Sequence, residues 1–320
     1  METPALALAA LVVGAAAPAA AQPGTPTCSL ELTVLGVGQD GGAPQLGNSS
    51  DPAWADPALR RLATSIAVVD HQAGERYLFE ATPDIREQLY RLDQVAPTED
   101  RPGLDGVFLT HAHIGHYAGL MFLGHESMGA RQVPVFAMPQ MADYLTTNGP
   151  WSQLVRYDNI ALQPLSDGVA VEAGRMTVTP IAVPHRQEFT EVVGYRIDTP
   201  GRSAFFLPDI DSWEEWENWQ DGPAMRIEDV IASVDVAYLD ATFFANGEIP
   251  GRDMSGFPHP MISHSMARFA VLPESERAKI RFIHFNHTNP VRYPEAPERV
   301  VVSEAGFGLA DEGERYCLAD

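Results

Sequence analysis

Three histidines fall within six positions in the segment Leu109-Thr110-His111-Ala112-His113-Ile114-Gly115-His116-Tyr117. The apolar run Gly106 to Thr110 reads as a short strand leading into it. Residues two apart in extended chain point the same way, so His111 and His113 project to one side. Gly115 lets the backbone turn and sets His116 at the start of the helix expected from Tyr117 onward. Three imidazoles then converge on a small space. Neutral imidazole is the commonest protein ligand for zinc and also serves iron. The whole chain has 10 His, so a cluster this tight behind a strand points to a metal site rather than to an ordinary polar loop.

Thr110-His111-Ala112-His113-Ile114-Gly115-His116 resembles the T-H-x-H-x-D-H signature of the metallo-β-lactamase superfamily. Three stretches are together similar to coenzyme PQQ synthesis protein B and its relatives, over nearly all of the mature chain. They are His111 to Leu120, Gly41-Gly42-Ala43-Pro44-Gln45, and His284-Phe285-Asn286-His287-Thr288-Asn289-Pro290. The resemblance implies an α/β (α+β) fold, a four-layer αββα sandwich in a single domain, with a metal at the edge between the sheets. It also implies further ligands. His185 follows the strand Met176 to Ala182, and His284 ends the strand beginning at Ile280. Asp209 would bridge two ions, and is preferred to Asp211 because it leaves its strand first. His287 and Asn289 are assigned to supporting or substrate-facing positions.

The chain departs from the signature where the family aspartate is Gly115. One ion would keep His111, His113, His185 and Asp209. The other would keep His116, Asp209 and His284, a two-histidine, one-carboxylate set with open positions. That second ion is expected to bind weakly, to bind with help, or to be missing. Asp40, in the loop Gly36 to Gly42, is either the helper or a turn aspartate. The expected cofactor is zinc, one or two ions, with iron or manganese as alternatives. The cysteine-rich stretch of PQQ synthesis protein B is replaced here by Leu46-Gly47-Asn48-Ser49-Ser50, so no structural zinc is expected there.

The chemistry this implies is hydrolysis, because a bound metal lowers the pKa of its water and supplies hydroxide. Tyr238-Leu239-Asp240-Ala241-Thr242-Phe243, His264-Ser265 and His284-Phe285 resemble the layout of the tRNase Z branch. That likeness casts Asp240 as the partner of a proton-donating histidine, either His259 or His264; a helix-terminal role is the alternative for each. The leading expectation is a hydrolase of a small-molecule ester, lactone or amide. Alternatives are an iron-dependent, oxygenase-like role in PQQ biosynthesis, a phosphodiesterase, and a degenerate metal-binding protein.

Composition narrows the partners. The net charge of -22 comes from 43 acidic against 21 basic residues, with no Lys/Arg run, which disfavours nucleic acid. Leu6 to Ala17 is apolar, and Ala19-Ala20-Ala21 precedes Gln22, as at a signal-peptide cleavage site. Residues 1–21 are therefore expected to be a signal peptide, 22–28 a linker and 29–320 the domain, in a periplasmic or secreted protein. The apolar run is too short to span a bilayer. Cys28 and Cys317 could pair in an oxidising compartment and tie the termini together. Nothing in the sequence sets an oligomeric state.

The elements that must position the site are mostly strands. Ser29 to Val37, Thr64 to Val69, Arg76 to Glu80, Val133 to Ala137, Met176 to Val183, Gly194 to Asp198, Ser203 to Leu207, Val234 to Leu239 and Ile280 to Phe285 read as strands. Asp84 to Leu92 and Pro260 to Leu272 read as helices. Ser212 opens another, with Glu215 completing a capping box. Trp213, Trp216 and Trp219 recur every three residues, as on a face packed against the core or walling a pocket.

Overall fold

The computed structural model describes residues 28–320, so the expected signal peptide and residues 22–27 of the linker lie outside the described residues. Cys28 is itself buried and bonded to Cys317, so it belongs to the folded body rather than to a linker.

Two seven-stranded sheets face each other. The first holds β1 (Leu30–Gly36), β2 (Ser65–Asp70), β3 (Glu75–Phe79), β4 (Gly106–Phe108), β5 (Val133–Ala137) and β6 (Ile160–Pro164). The second holds β7 (Val171–Ala173), β8 (Met176–Ala182), β9 (Val193–Asp198), β10 (Ser203–Leu207), β11 (Val236–Asp240), β12 (Ile280–Ile283) and β13 (Gly308–Leu309). The last strand, β14 (Arg315–Ala319), returns to pair antiparallel with β1. The helices are α1 (Ile85–Val95), α2 (Ile114–Tyr117), α3 (Pro139–Thr147), α4 (Trp151–Arg156), α5 (Trp213–Glu217), α6 (Ile227–Ala232), α7 (Ile262–Phe269), α8 (Glu274–Arg277) and α9 (Pro297–Glu304).

The layering follows from alternation along the strands. In β2, Ile66 and Val68 join the core between the sheets, while Ala67 and Val69 face the core under the outer helices. In β3, Tyr77 and Phe79 point one way and Leu78 the other. Phe205, Phe206 and Leu207 of β10 are all buried, as expected of a strand covered on both faces. The expected αββα sandwich is the fold the chain adopts.

The α2 region corrects one expectation. The helix starts at Ile114, not Tyr117, and tightens into a 3-10 segment over Ala118–Leu123. At Gly119 a Cβ would lie 2.0 Å from the Thr82 carbonyl oxygen, so this segment packs directly on the chain after β3. Trp213 and Trp216 are core residues, and Ser212 caps α5 by accepting from the Glu215 N–H at 3.0 Å.

Candidate metal centre

The site lies where strands of both sheets end. In the second sheet β10, β11 and β12 run parallel, with Leu207 beside Leu239 and Leu239 beside Phe282. Their C-terminal ends therefore deliver Asp209, Asp240 and His284 side by side, as open sheets deliver ligand-binding residues. In the first sheet β4 ends at Phe108 and feeds the turn carrying His111, His113 and His116. That turn is tied across to the second sheet. Tyr195 Oη donates to the Leu109 carbonyl, Val193 N to the Thr110 carbonyl at 3.2 Å, and Ala112 N to Thr190 Oγ1 at 3.1 Å.

The side chains meet around Asp209. His116 Nε2 lies 3.2 Å and His284 Nε2 3.5 Å from Asp209 Oδ2, and His185 Nε2 lies 3.7 Å from Oδ1. Ligand atoms of His111, His113 and His185 lie within 4.8 Å of one another, as do those of His111, His116 and Asp209. His185, Asp209 and His259 form a third such group. The Nε2 atoms of His111, His116, His185 and His284, together with Asp209 Oδ2, are buried without a hydrogen-bond partner. Buried polar atoms are almost always paired. So many unpaired polar atoms aimed at one space fit a divalent cation.

Residues 75–285 match the family model described as the beta-lactamase superfamily domain. The chain belongs to the metallo-β-lactamase superfamily. It is 25% identical to coenzyme PQQ synthesis protein B of Xanthomonas oryzae pv. oryzae, over 90% of this chain and 100% of that one. The structure of Zn(2+)-bound PqqB from Methylobacterium extorquens superposes with a TM-score of 0.72 at 22% identity, covering 89% of this chain and 99% of that one. A diphosphatase of the PhnP family superposes with a TM-score of 0.64 at 24% identity, covering 90% and 96%.

Around this metallo-β-lactamase site, hydroxyls and carboxylates flank the Nδ1 atoms of His111, His116, His185 and His284. Two relays share one design. Thr110 Oγ1 donates to Glu80 and lies 2.8 Å from His111 Nδ1. Thr242 Oγ1 donates to Asp240 Oδ1 at 2.8 Å and lies 3.0 Å from His284 Nδ1. A hydroxyl that donates to a carboxylate must accept from the imidazole, so Nδ1 carries the proton and Nε2 is left bare for a metal. Glu80 also stands 3.4 Å from His116 Nδ1, and Asp211 Oδ1 2.8 Å from His185 Nδ1. Asp211 is thus the orienting partner of His185, while Asp209 occupies the centre.

Glu80 was not legible as a site residue. Its one signal is a carboxylate closing the apolar strand β3, fully buried and with φ +75. His284 has φ +71. Such left-handed backbone costs roughly 1–3 kcal/mol per residue and concentrates at functional sites.

Charge follows from burial and neighbours. Burial and the surrounding imidazoles hold His111 and His284 well below the ordinary histidine range, and burial with His185 and His116 lowers His113 to about 4. Burial would also lower His116, but Asp209 and Glu80 raise it to about 9. Burial lifts Asp209 to about 6 against the pull of His116 and His185. His259 is raised because Asp240, 2.8 Å from its Nδ1, outweighs burial.

Three expected residues stand apart. His264 is exposed on α7, whose buried face is Ile262, Ser265 and Phe269, so the histidine next to Asp240 is His259 and not His264. His287 does not join the cluster; burial and Arg292 lower its pKa. Asn289 is buried and takes a supporting position. Its amide donates to the carbonyls of Ala241 and Thr242 at 3.0 and 3.2 Å, steadying the turn that carries Thr242. Beside His185 opens a cavity of about 800 Å³, walled in part by Trp219, Glu191, Asp211 and Arg186.

Proposed function

We propose that this protein is an exported metal-dependent hydrolase of a small-molecule ester, lactone or amide. The observation that carries the reading is the convergence of buried, partnerless Nε2 atoms on Asp209. These residues would hold a divalent ion, which when bound would supply Lewis-acid polarisation of a substrate oxygen and a water of near-neutral pKa. Asp209, central in the cluster, orients the attacking water. Asp240 engages His259 through Nδ1, so the Nε2–H of His259 is available to protonate the leaving group as the bond breaks.

The cavity beside His185 has the size of a small-molecule site. Asp167, Glu191, Glu215 and Asp221 outnumber Arg186 along its wall, which works against polyanionic substrates. Among the described residues no helix is long and apolar enough to cross a membrane. The Cys28–Cys317 disulfide supports an oxidising compartment outside the cytoplasm.

The test is metal analysis of the purified protein followed by a panel of chromogenic esters, lactones, amides and phosphodiesters. Zinc with hydrolysis, both abolished by His111→Ala with His113→Ala, is the expected result. A protein that binds no metal, or a double variant that keeps its activity, overturns the proposal. A second reading rests on the relatives named for PQQ synthesis: the His116, His284 and Asp209 set also suits iron and oxygen chemistry. One iron per chain with oxygen uptake would favour it.

A further inference from the structure

We propose that Asp40, from the loop after β1, supplies in space the carboxylate that Gly115 lacks, and completes the half of the centre formed by His116, Asp209 and His284. The proposal rests on the metal-dependent reading above, since it needs the centre to hold ions.

Space at position 115 is already taken. A Cβ on Gly115 would lie 2.4 Å from Asp40 Cα and 2.8 Å from Asp40 Oδ1. Where the family grows a carboxylate from the helix, this chain brings one in from another segment. Asp40 Oδ1 stands 4.0 Å from His116 Nε2, the atom that also faces Asp209. Two ligand atoms bound at about 2.1 Å to one ion lie roughly 3.4 Å apart at a tetrahedral angle and roughly 4.2 Å apart when opposite. The observed separation falls between these.

The loop is held in place by the segment carrying His284. Gln39 N donates to the Phe285 carbonyl at 2.9 Å, and Phe285 N to the Val37 carbonyl at 2.7 Å. Asn286 Nδ2 donates to Gln39 Oε1. Asp40 therefore cannot drift from the cluster, although its side chain is 47% exposed and can change rotamer.

A purely conformational role does not account for it. A turn aspartate typically accepts from a backbone N–H two residues on. Here Gly42 N donates instead to the Gln39 carbonyl at 2.8 Å, and among the described residues no hydrogen bond holds the Asp40 carboxylate. The backbone is left-handed, φ +47, which aspartate tolerates but glycine would tolerate better. Asp40 thus occupies a glycine-like position with an uncommitted carboxylate turned toward a metal ligand.

The test compares wild type with Asp40→Asn. Metal content after dialysis and cobalt(II) absorption titrations read each binding step, and circular dichroism verifies folding. Wild type should take up two ions. Asp40→Asn should keep the first and weaken the second at least about tenfold. Two ions bound with unchanged affinity by Asp40→Asn overturn the proposal, as does a wild type that binds one ion only; both leave the metal-dependent reading intact. A wild type that binds no ion defeats both.

Discussion

Asp240 Oδ2 lies 2.8 Å from His259 Nδ1, and the same carboxylate also accepts from Ile210 N and from Thr242. A fully buried aspartate thus fixes both His259, the proposed proton donor, and, through Thr242, His284. Asp240 lifts the pKa of His259 against the effect of burial. An acid must be protonated to act, so activity is lost as pH rises through that raised pKa. Asp240→Asn removes the lift and leaves burial to lower the pKa. The alkaline limb of the pH–rate profile should move to lower pH, and kcat should fall about 10²–10⁴-fold with little change in KM. An unshifted limb would take His259 out of the proton-donor role.

The two hydroxyl relays predict matched losses. Thr110→Val or Thr242→Val removes the acceptor that fixes His111 or His284 by Nδ1, with little change in shape. Each imidazole is then free to adopt the other tautomer. Metal affinity should drop about 10–100-fold in each variant. Competition with a chromophoric chelator measures it, and equal affinity in wild type and variants would show that the relays do not set the tautomers.

How far the sequence speaks follows from which signals are local. His111, His113 and His116 are legible because a short strand and a turn fix their directions within one segment. His185, Asp209 and His284 lie at the ends of apolar strands, so their order along the chain, read against the family pattern, anticipates their meeting place. Glu80 escapes that reading, because a strand-end carboxylate looks alike whether it faces water or another ligand, and Asp211 enters it only as the alternative to Asp209, without its role beside His185. His259 lies in the loop before α7 and His264 on α7 itself, and only the packing of Ile262, Ser265 and Phe269 turns His264 outward. Short edge strands such as β7 and β13 have too few residues to show alternation, and pairing alone defines them.

Ion binding should release protons in a pH-dependent way. Asp209 and Glu80 raise His116 to about 9, so at pH 7 it carries a proton that a metal must displace. Binding at the His116 half should then release about one proton at neutral pH and progressively less as pH approaches 9. Below pH 6 Asp209, raised to about 6, adds a second displaced proton. Apparent affinity therefore rises with pH across this range. Calorimetry of metal binding in buffers of different ionisation enthalpy counts the protons; no release at pH 7 would contradict the assigned charge on His116.

The disulfide should act on stability without touching the metal. Cys28 and Cys317 are 289 residues apart in sequence, with Cα atoms 5.6 Å apart, and join the entry of β1 to its neighbour β14. Closing so long a loop restricts the unfolded chain. Replacing both cysteines by serine should cost about 2–5 kcal/mol of unfolding free energy. The bond lies at the start of β1, whereas the Asp40 loop leaves its end, roughly 20 Å away along the strand. Denaturant unfolding of wild type and of Cys28→Ser with Cys317→Ser tests the first part, and their metal content the second. A lower midpoint with unchanged metal is expected. An equal midpoint would mean that native pairing of β1 with β14 already does what the bond does, and a loss of metal would mean that order at the termini reaches the site.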